Sequence, residues 1–245
     1  MATKLLYLEA FDIVSCEAQV VSVDKAEDGR DVVILDQTCF YPRGGGQDWD
    51  TGTVKAEGGS FSVEEVRLDE HGVVHHIGNL EGKLSVGQSV QCEVNKSTRQ
   101  LNTKLHSAGH LVDMAMQDLQ PEWIPARGAH YPHMSFVEYQ VPQEAQVNEE
   151  FKAIVQARVS ELSKSAYDNQ LLFMSKDEMT KYCRHVPDNL PSNKPSRIVL
   201  YSDDFGIPCG GTHVKKAQDV GDITITKIKI KKGLAKVSYA VDGIN

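Results

Sequence analysis

From Glu17 to about residue 95 the apolar positions recur every second residue in short runs. EAQVVSVDKA alternates apolar and polar, RDVVILDQ is β-branched and apolar, and KAEGGSFSVEEVRL gives two runs around Gly58-Gly59. HGVVHHIG and QSVQCEV continue the series. A period of two, broken by turn residues, predicts short antiparallel strands, and strands at this spacing predict a small β-barrel or sandwich.

The period changes at Ser97. Ser97 followed by Gln100 is a capping-box pattern, and it predicts a helix to about Leu119, stopped by Pro121. At 100° per residue Leu101, Leu105, Ala108, Val112, Ala115, Met116 and Leu119 share one face, while Arg99, Asn102, His106, His110, Asp113 and Gln117 share the other. Both histidines are therefore expected on the polar face, outside the apolar contact. MSFVEYQV then reads as a strand, residues 148–164 as an amphipathic helix and LLFMS as a strand. Ser175 with Glu178 opens a short helix ending near Cys183, and a loop rich in Pro and Asn leads to the strand RIVLYS. DITITKIKIKKGLAKVSYAV closes the chain as a β-hairpin turning at Lys232-Gly233. The expected fold class is α+β, with a β-barrel or sandwich domain over 1–95 and an α+β domain over 96–245.

Composition adds three constraints. No apolar run reaches the 18 or so residues of a membrane span, and MATKLLYLEAFD does not read as a signal peptide. Five cysteines without paired spacing predict reduced thiols and, with the missing leader pattern, a cytoplasmic location. The net charge of −8 opposes a polyanionic partner, yet from Lys181 onward 11 Lys and Arg stand against 6 Asp and no Glu. This basic segment is either a solvated strand face or a local contact for phosphates.

His106-Ser-Ala-Gly-His110 puts two imidazoles one helical turn apart, able to converge on one ion. Cys209-Gly-Gly-Thr-His213 offers a thiolate and a third imidazole across a Gly-rich turn. Together they form a four-donor N and S set suited to tetrahedral Zn²⁺. Two other zinc hydrolase patterns fail. The zincin motif needs Glu where Ser107 stands, and the deaminase motif needs a second Cys where Thr212 stands.

HSAGH, CGGTH about 100 residues later, and FYPRGGGQDWDTG ahead of both occur in an order that resembles the editing region of alanyl-tRNA synthetase and the AlaX proteins. The resemblance runs from about residue 4 to the closing hairpin. It implies a first domain like domain 2 of elongation factor Tu, and an α+β editing domain shared with threonyl-tRNA synthetase. It further implies a trans-acting editor, since there is no room here for an aminoacylation core. The implied reaction is hydrolysis of the ester joining serine or glycine to the 3′-terminal adenosine of tRNA(Ala). Zinc and tRNA are the expected partners, and no obligate protein partner is evident.

In that reading His106, His110, Cys209 and His213 hold the zinc, which either orders the pocket or expands its coordination to direct water, with Cys209 or Thr38 able to assist. Thr38, with Gln47 beside it, is the candidate partner for a serine hydroxyl, because a site built around a hydrogen bond rejects alanine. Gly44, Gly45 and Gly46 either admit close backbone approach to the pocket or form a plain hairpin turn. Arg99 and Asn102 are candidates for the terminal adenosine or a phosphate. Lys227, Lys229, Lys231 and Lys232 are candidates for the acceptor-stem phosphates. Two alternatives stay open: a non-catalytic zinc-stapled RNA-binding module, and an editor of another ester such as Ser-tRNA(Thr).

Overall fold

The computed structural model describes residues 1–188, 190 and 195–243, so part of the predicted Pro- and Asn-rich loop lies outside the described residues. The chain divides into two compact units, Met1–Gln100 and Leu101–Asn245. The division falls inside the long helix, a few residues later than the sequence pattern suggests.

The first unit contains β1 (Lys4–Leu5), β2 (Ser15–Lys25), β3 (Asp31–Leu35), β4 (Gln37–Thr38), β5 (Gly52–Ala56), β6 (Gly59–Leu68), β7 (Val74–Gly82) and β8 (Ser89–Val94). Six of them close into a barrel in the order β2-β3-β7-β6-β5-β8, while β1 and β4 pair in parallel. Closure leaves those six strands no open edge. Strict alternation supplies the interior: in β8 Val90, Cys92 and Val94 point inward and their neighbours outward. Val33, Phe40, Val54, Phe61, Val66 and Val74 are fully buried in the barrel core. Irregularities in β2 at Val20/Ser22 and in β6 at Val63/Glu65 interrupt the register, and such bulges bend and twist the long strands of a barrel.

Helix α1 (Lys96–Leu119) starts in the first unit and runs on into the second. Its cap is not Ser97. The Asn95 side chain accepts the Thr98 N–H at 3.1 Å and its carbonyl accepts the Arg99 N–H, two residues before the position that the capping-box pattern indicates.

The second unit continues with β9 (Ile124–Tyr131), β10 (Met134–Gln140), α2 (Glu149–Leu162), β11 (Gln170–Met174), α3 (Lys176–Met179), β12 (Ser196–Ser202), β13 (Phe205–Pro208), β14 (Ile223–Lys231) and β15 (Leu234–Val241). Two antiparallel sheets result, β14-β15-β10-β9 and β11-β12-β13. Asn148 caps α2 by accepting the Phe151 N–H at 2.8 Å. Gln156 of α2 then bonds to both Ile223 O and Ile225 N of β14, fixing helix to sheet. The Ser175–Glu178 capping box forms as predicted, although α3 ends at Met179. The closing turn is the predicted one: Lys232 (φ 53°) and Gly233 (φ 76°) both take positive φ, as a two-residue hairpin turn of this hand requires. Among the described residues no helix is long and apolar enough to cross a membrane.

Candidate metal centre

The two-faced reading of α1 needs correction first. From Asn102 to Gln117 every residue except Lys104 is buried, on the polar face as well as the apolar one. A polar stripe inside a protein must find partners or a ligand, because unpaired buried polar groups are costly. On this stripe the partners are other polar groups.

His106 and His110 present their rings in a stack with centroids 5.0 Å apart. β12, β13 and the loop after them bring the other pair. Cys209 N–H donates to Arg197 O, the Arg197 guanidinium returns bonds to Cys209 O and Gly211 O, and Gly211 N–H points at Cys209 Sγ from 3.3 Å. The loop is tied to α1 by Thr103–Thr212 (2.7 Å) and by Val214 N–H to Ser107 Oγ (3.0 Å). Gly211 is required for this approach: a Cβ there would run into the His106 imidazole.

One ligand atom from each of His106, His110, Cys209 and His213 lies within 4.8 Å of the others, so the four could hold a metal ion. Cys209 Sγ is 3.3 Å from His106 Nε2, close to the roughly 3.5 Å edge expected of a tetrahedron with Zn–S near 2.3 and Zn–N near 2.0 Å. Among the described residues, Nε2 of His110 and Nε2 of His213 are buried without a hydrogen-bond partner. His213 Nδ1 meets Tyr201 Oη at 3.0 Å, which leaves Nε2 as the nitrogen that could meet an ion. Burial, then the neighbouring imidazoles and Arg197, hold the His106 and His213 rings well below the usual histidine range. Burial likewise lowers His110 to about 3, and it raises the Cys209 thiol. Three neutral imidazoles and a thiol therefore converge without any cation among them. A metal ion that displaces the thiol proton fits this set.

Sequence reasoning missed His130. It lies on β9, its ring stacked 4.5 Å from that of His106, and its Nδ1 is 2.6 Å from Tyr239 Oη. Tyr239 donates to Leu105 O, so it accepts from His130 Nδ1–H and leaves His130 Nε2 as an acceptor. Burial lowers this ring to about 4, which keeps it neutral. The alternation signal for β9 is weak because IPARGAHY contains Pro, Gly and two Ala, and no sequence feature links it to Tyr239, 109 residues away.

The remaining candidates belong mainly to the first unit. Arg99 is corrected from a substrate contact to an internal ion pair: it is 5% exposed, and its guanidinium is committed to both Asp50 oxygens and to the carbonyls of Ile13 and Cys39. Thr38 is fully buried. His76 Nδ1 donates to Val33 O at 3.0 Å, so Nε2 accepts from the Thr38 hydroxyl at 2.8 Å while Thr38 Oγ1 accepts the Phe40 N–H. One lone pair of Thr38 is left. Gln47 is also buried, and its backbone pairs with Gly44 in both directions. Gly45 (φ 53°) and Gly46 (φ 76°) fill the two positive-φ positions between them, so the hairpin-turn reading accounts for these two glycines. A Cβ at Gly44 would make no more than an ordinary contact, 3.8 Å from the Tyr41 hydroxyl. Asn102, in the second unit, is buried one turn before His106. Lys227, Lys229 and Lys231 stand along β14, with Lys232 exposed in the turn.

The sequence profile described as tRNA synthetases class II (A) matches residues 6–98. The chain is 29% identical to the alanine–tRNA ligase of Fervidobacterium nodosum over 91% of this chain, and 28% identical to that of Methanobrevibacter smithii over 99%. It is 28% identical to the alanyl-tRNA editing protein AlaX-L of Pyrococcus horikoshii over 91% of its length. The chain is similar in sequence to alanine–tRNA ligases and to an alanyl-tRNA editing protein. It spans 26% and 28% of the two ligases and 54% of AlaX-L. The profile match to class II synthetases falls on the barrel unit and its GGGQ turn, whereas the pairwise similarities extend over nearly all of the chain.

Proposed function

We propose that the protein is a zinc-containing aminoacyl-tRNA deacylase that removes serine, and also glycine, from mischarged tRNA(Ala). The observation that carries this reading is the largely buried four-donor cluster of His106, His110, Cys209 and His213 in a chain similar both to alanine–tRNA ligases and to an alanyl-tRNA editing protein. An aminoacyl ester is already activated, so positioning and stabilisation of the developing oxyanion suffice without a strong base.

A bound zinc would supply positive charge for the ester carbonyl or for water. The chain's own residues do the rest. Tyr201 and the Arg197-braced loop keep His213 and Cys209 in place. His130, oriented by Tyr239, offers Nε2 as a hydrogen-bond acceptor from which a water can be oriented. Thr38, whose hydroxyl proton is engaged by His76, remains the proposed acceptor for a serine hydroxyl. Gln47 and Asn102 are proposed polar contacts, and Lys227, Lys229, Lys231 and Lys232 are proposed to hold backbone phosphates.

Deacylation of Ser-tRNA(Ala), Gly-tRNA(Ala), Ala-tRNA(Ala) and Ser-tRNA(Thr), with and without chelator, tests the reading. The expected result is chelator-sensitive loss of serine and glycine from tRNA(Ala), with Ala-tRNA(Ala) spared. Binding of tRNA without cleavage of any ester would replace it with a zinc-stapled RNA-binding module. Preferential cleavage of Ser-tRNA(Thr) would move the substrate.

A further inference from the structure

In the second unit a cavity of about 290 Å³ abuts the ligand cluster, and His110, Asp113, Gln117, Gly128, His130 and Pro208 are among its lining residues. Its polar wall is the continuation of the stripe that carries the ligands on α1. Asp113 is 7% exposed, and among the described residues its Oδ1 has no hydrogen-bond partner. Oδ2 takes a single bond, from Gln117 Nε2 at 2.8 Å. The hydroxyl of Tyr139 is a second neighbour of this carboxyl and favours its ionised form, against the larger effect of burial.

Charge in the neighbourhood is committed elsewhere. Arg127, on the cavity wall, is paired with Glu138, and Arg184 and Arg158 are both paired with Asp118. Asp113 makes no ion pair among the described residues. A buried carboxylate on the wall of a cavity, with no ion-pair partner among the described residues, is a site for a positively charged hydrogen-bond donor.

We propose that the Asp113 carboxylate seats the α-ammonium group of the aminoacyl ester, so that this cavity holds the amino-acid end of the substrate. The inference rests on the editing reading and deepens it. Asp113 follows His110 by three residues, about 4.5 Å along the helix axis. The α-nitrogen of an aminoacyl ester is two bonds from the carbonyl carbon, and a hydrogen bond adds about 2.8 Å. An ester carbonyl at the ligand cluster therefore brings its ammonium within reach of the next turn. Recognition of this kind selects a free amino group: esters whose nitrogen is acylated lose the charge and gain bulk at the carboxylate.

The test compares deacylation of Ser-tRNA(Ala) with N-acetyl-Ser-tRNA(Ala) by the zinc-loaded protein, unmodified and as D113N and D113E. The unmodified protein is expected to prefer the free amine by about 100-fold in kcat/KM, the scale of a buried charge-assisted bond. D113N should lose most of that preference through a raised KM for the free amine, with N-acetyl-Ser-tRNA(Ala) unchanged, and D113E should restore part of it. Equal cleavage of both esters by the unmodified protein overturns the inference while leaving the editing reading standing, and this arm needs no variant to fold. A D113N protein that slows both esters alike assigns Asp113 a purely structural role and also overturns it. Cleavage of neither ester removes the editing reading, and this inference with it.

Discussion

Tyr201 Oη lies 3.0 Å from Nδ1 of His213, so the metal-ready tautomer of that ring is the one whose Nδ1–H donates to the tyrosine. Both groups are buried, at 2% exposure each, and the bond fixes the ring as well as its proton. Y201F keeps the aromatic packing and removes the hydroxyl, which meets His213 and also Ser107. It is expected to weaken zinc binding by about 10- to 100-fold, measured by competition with a chromogenic chelator, whereas C209A should abolish stoichiometric binding. An unchanged affinity in Y201F would show that ring packing alone orients His213.

Gly211 and Gly210 are adjacent but unequal. A Cβ at Gly211 meets the His106 ring, whereas nothing lies within 4 Å of one at Gly210. G211A should displace His106 and lower metal occupancy, with a stability loss of about 1–3 kcal/mol from overpacking. G210A is expected to bind metal normally, and metal analysis of the two purified proteins reads the difference directly.

Arg99 and Asp50 form an ion pair with side-chain exposures of 6% and 0%. Removing one partner strands the other, so R99A or D50N should cost about 3–5 kcal/mol in chemical denaturation. The double replacement R99M/D50L should recover much of that loss, as buried pairs exchanged for apolar groups often do. Additive losses in the double variant would contradict a shared pair.

Burial pushes the Asp113 carboxyl up to about 6. The folded protein then holds this proton more tightly than the unfolded chain does. Its contribution to stability is full below pH 4, falls as pH rises through 6, and is level above that. The buried histidines have lowered values and act in the opposite sense over the same range, so the effect is read as a difference between proteins. Relative to the unmodified protein, D113N should gain about 2–3 kcal/mol between pH 4 and pH 7. A pH-independent difference would place the Asp113 proton equilibrium near that of an exposed carboxylate.

K229E/K231E is expected to reduce tRNA affinity and to flatten its dependence on salt, by a log–log slope of about 0.7–0.9 for each phosphate no longer neutralised. Filter binding across a salt series measures both. Unchanged affinity and slope would make the β14 lysines simply solvated.

The alternating runs before residue 95 are enough to foresee a small barrel or sandwich, and the four candidate ligands can be read from two spacings because i, i+4 on a helix and a Gly-rich turn each bring two donors together. Pairing over distance stays hidden. Nothing local links Asp50 to Arg99 or His130 to Tyr239, and a helix wheel does not distinguish a polar face turned to solvent from one turned to a ligand site. The polar face of α1 therefore reads as exposed when it is buried. Its N-cap is ambiguous for a smaller reason: Asn95 and Ser97 both suit the position, and only the backbone path chooses between them. Strands such as β9 and β13, short and interrupted by Gly and Pro, carry too little period to be recognised alone.

Among the described residues β14 is the outer strand of its sheet and pairs on one side only, with β15. Beyond Ile223 and Ile225, which Gln156 engages, its other edge has no strand partner among the described residues, the kind of edge that recruits a strand from another molecule. Lys227, Lys229 and Lys231 stand along that strand, and their mutual repulsion opposes a second copy docking there. Replacing them with uncharged β-formers would therefore do more than weaken binding to an anion: it would turn a guarded edge into a seed for self-association.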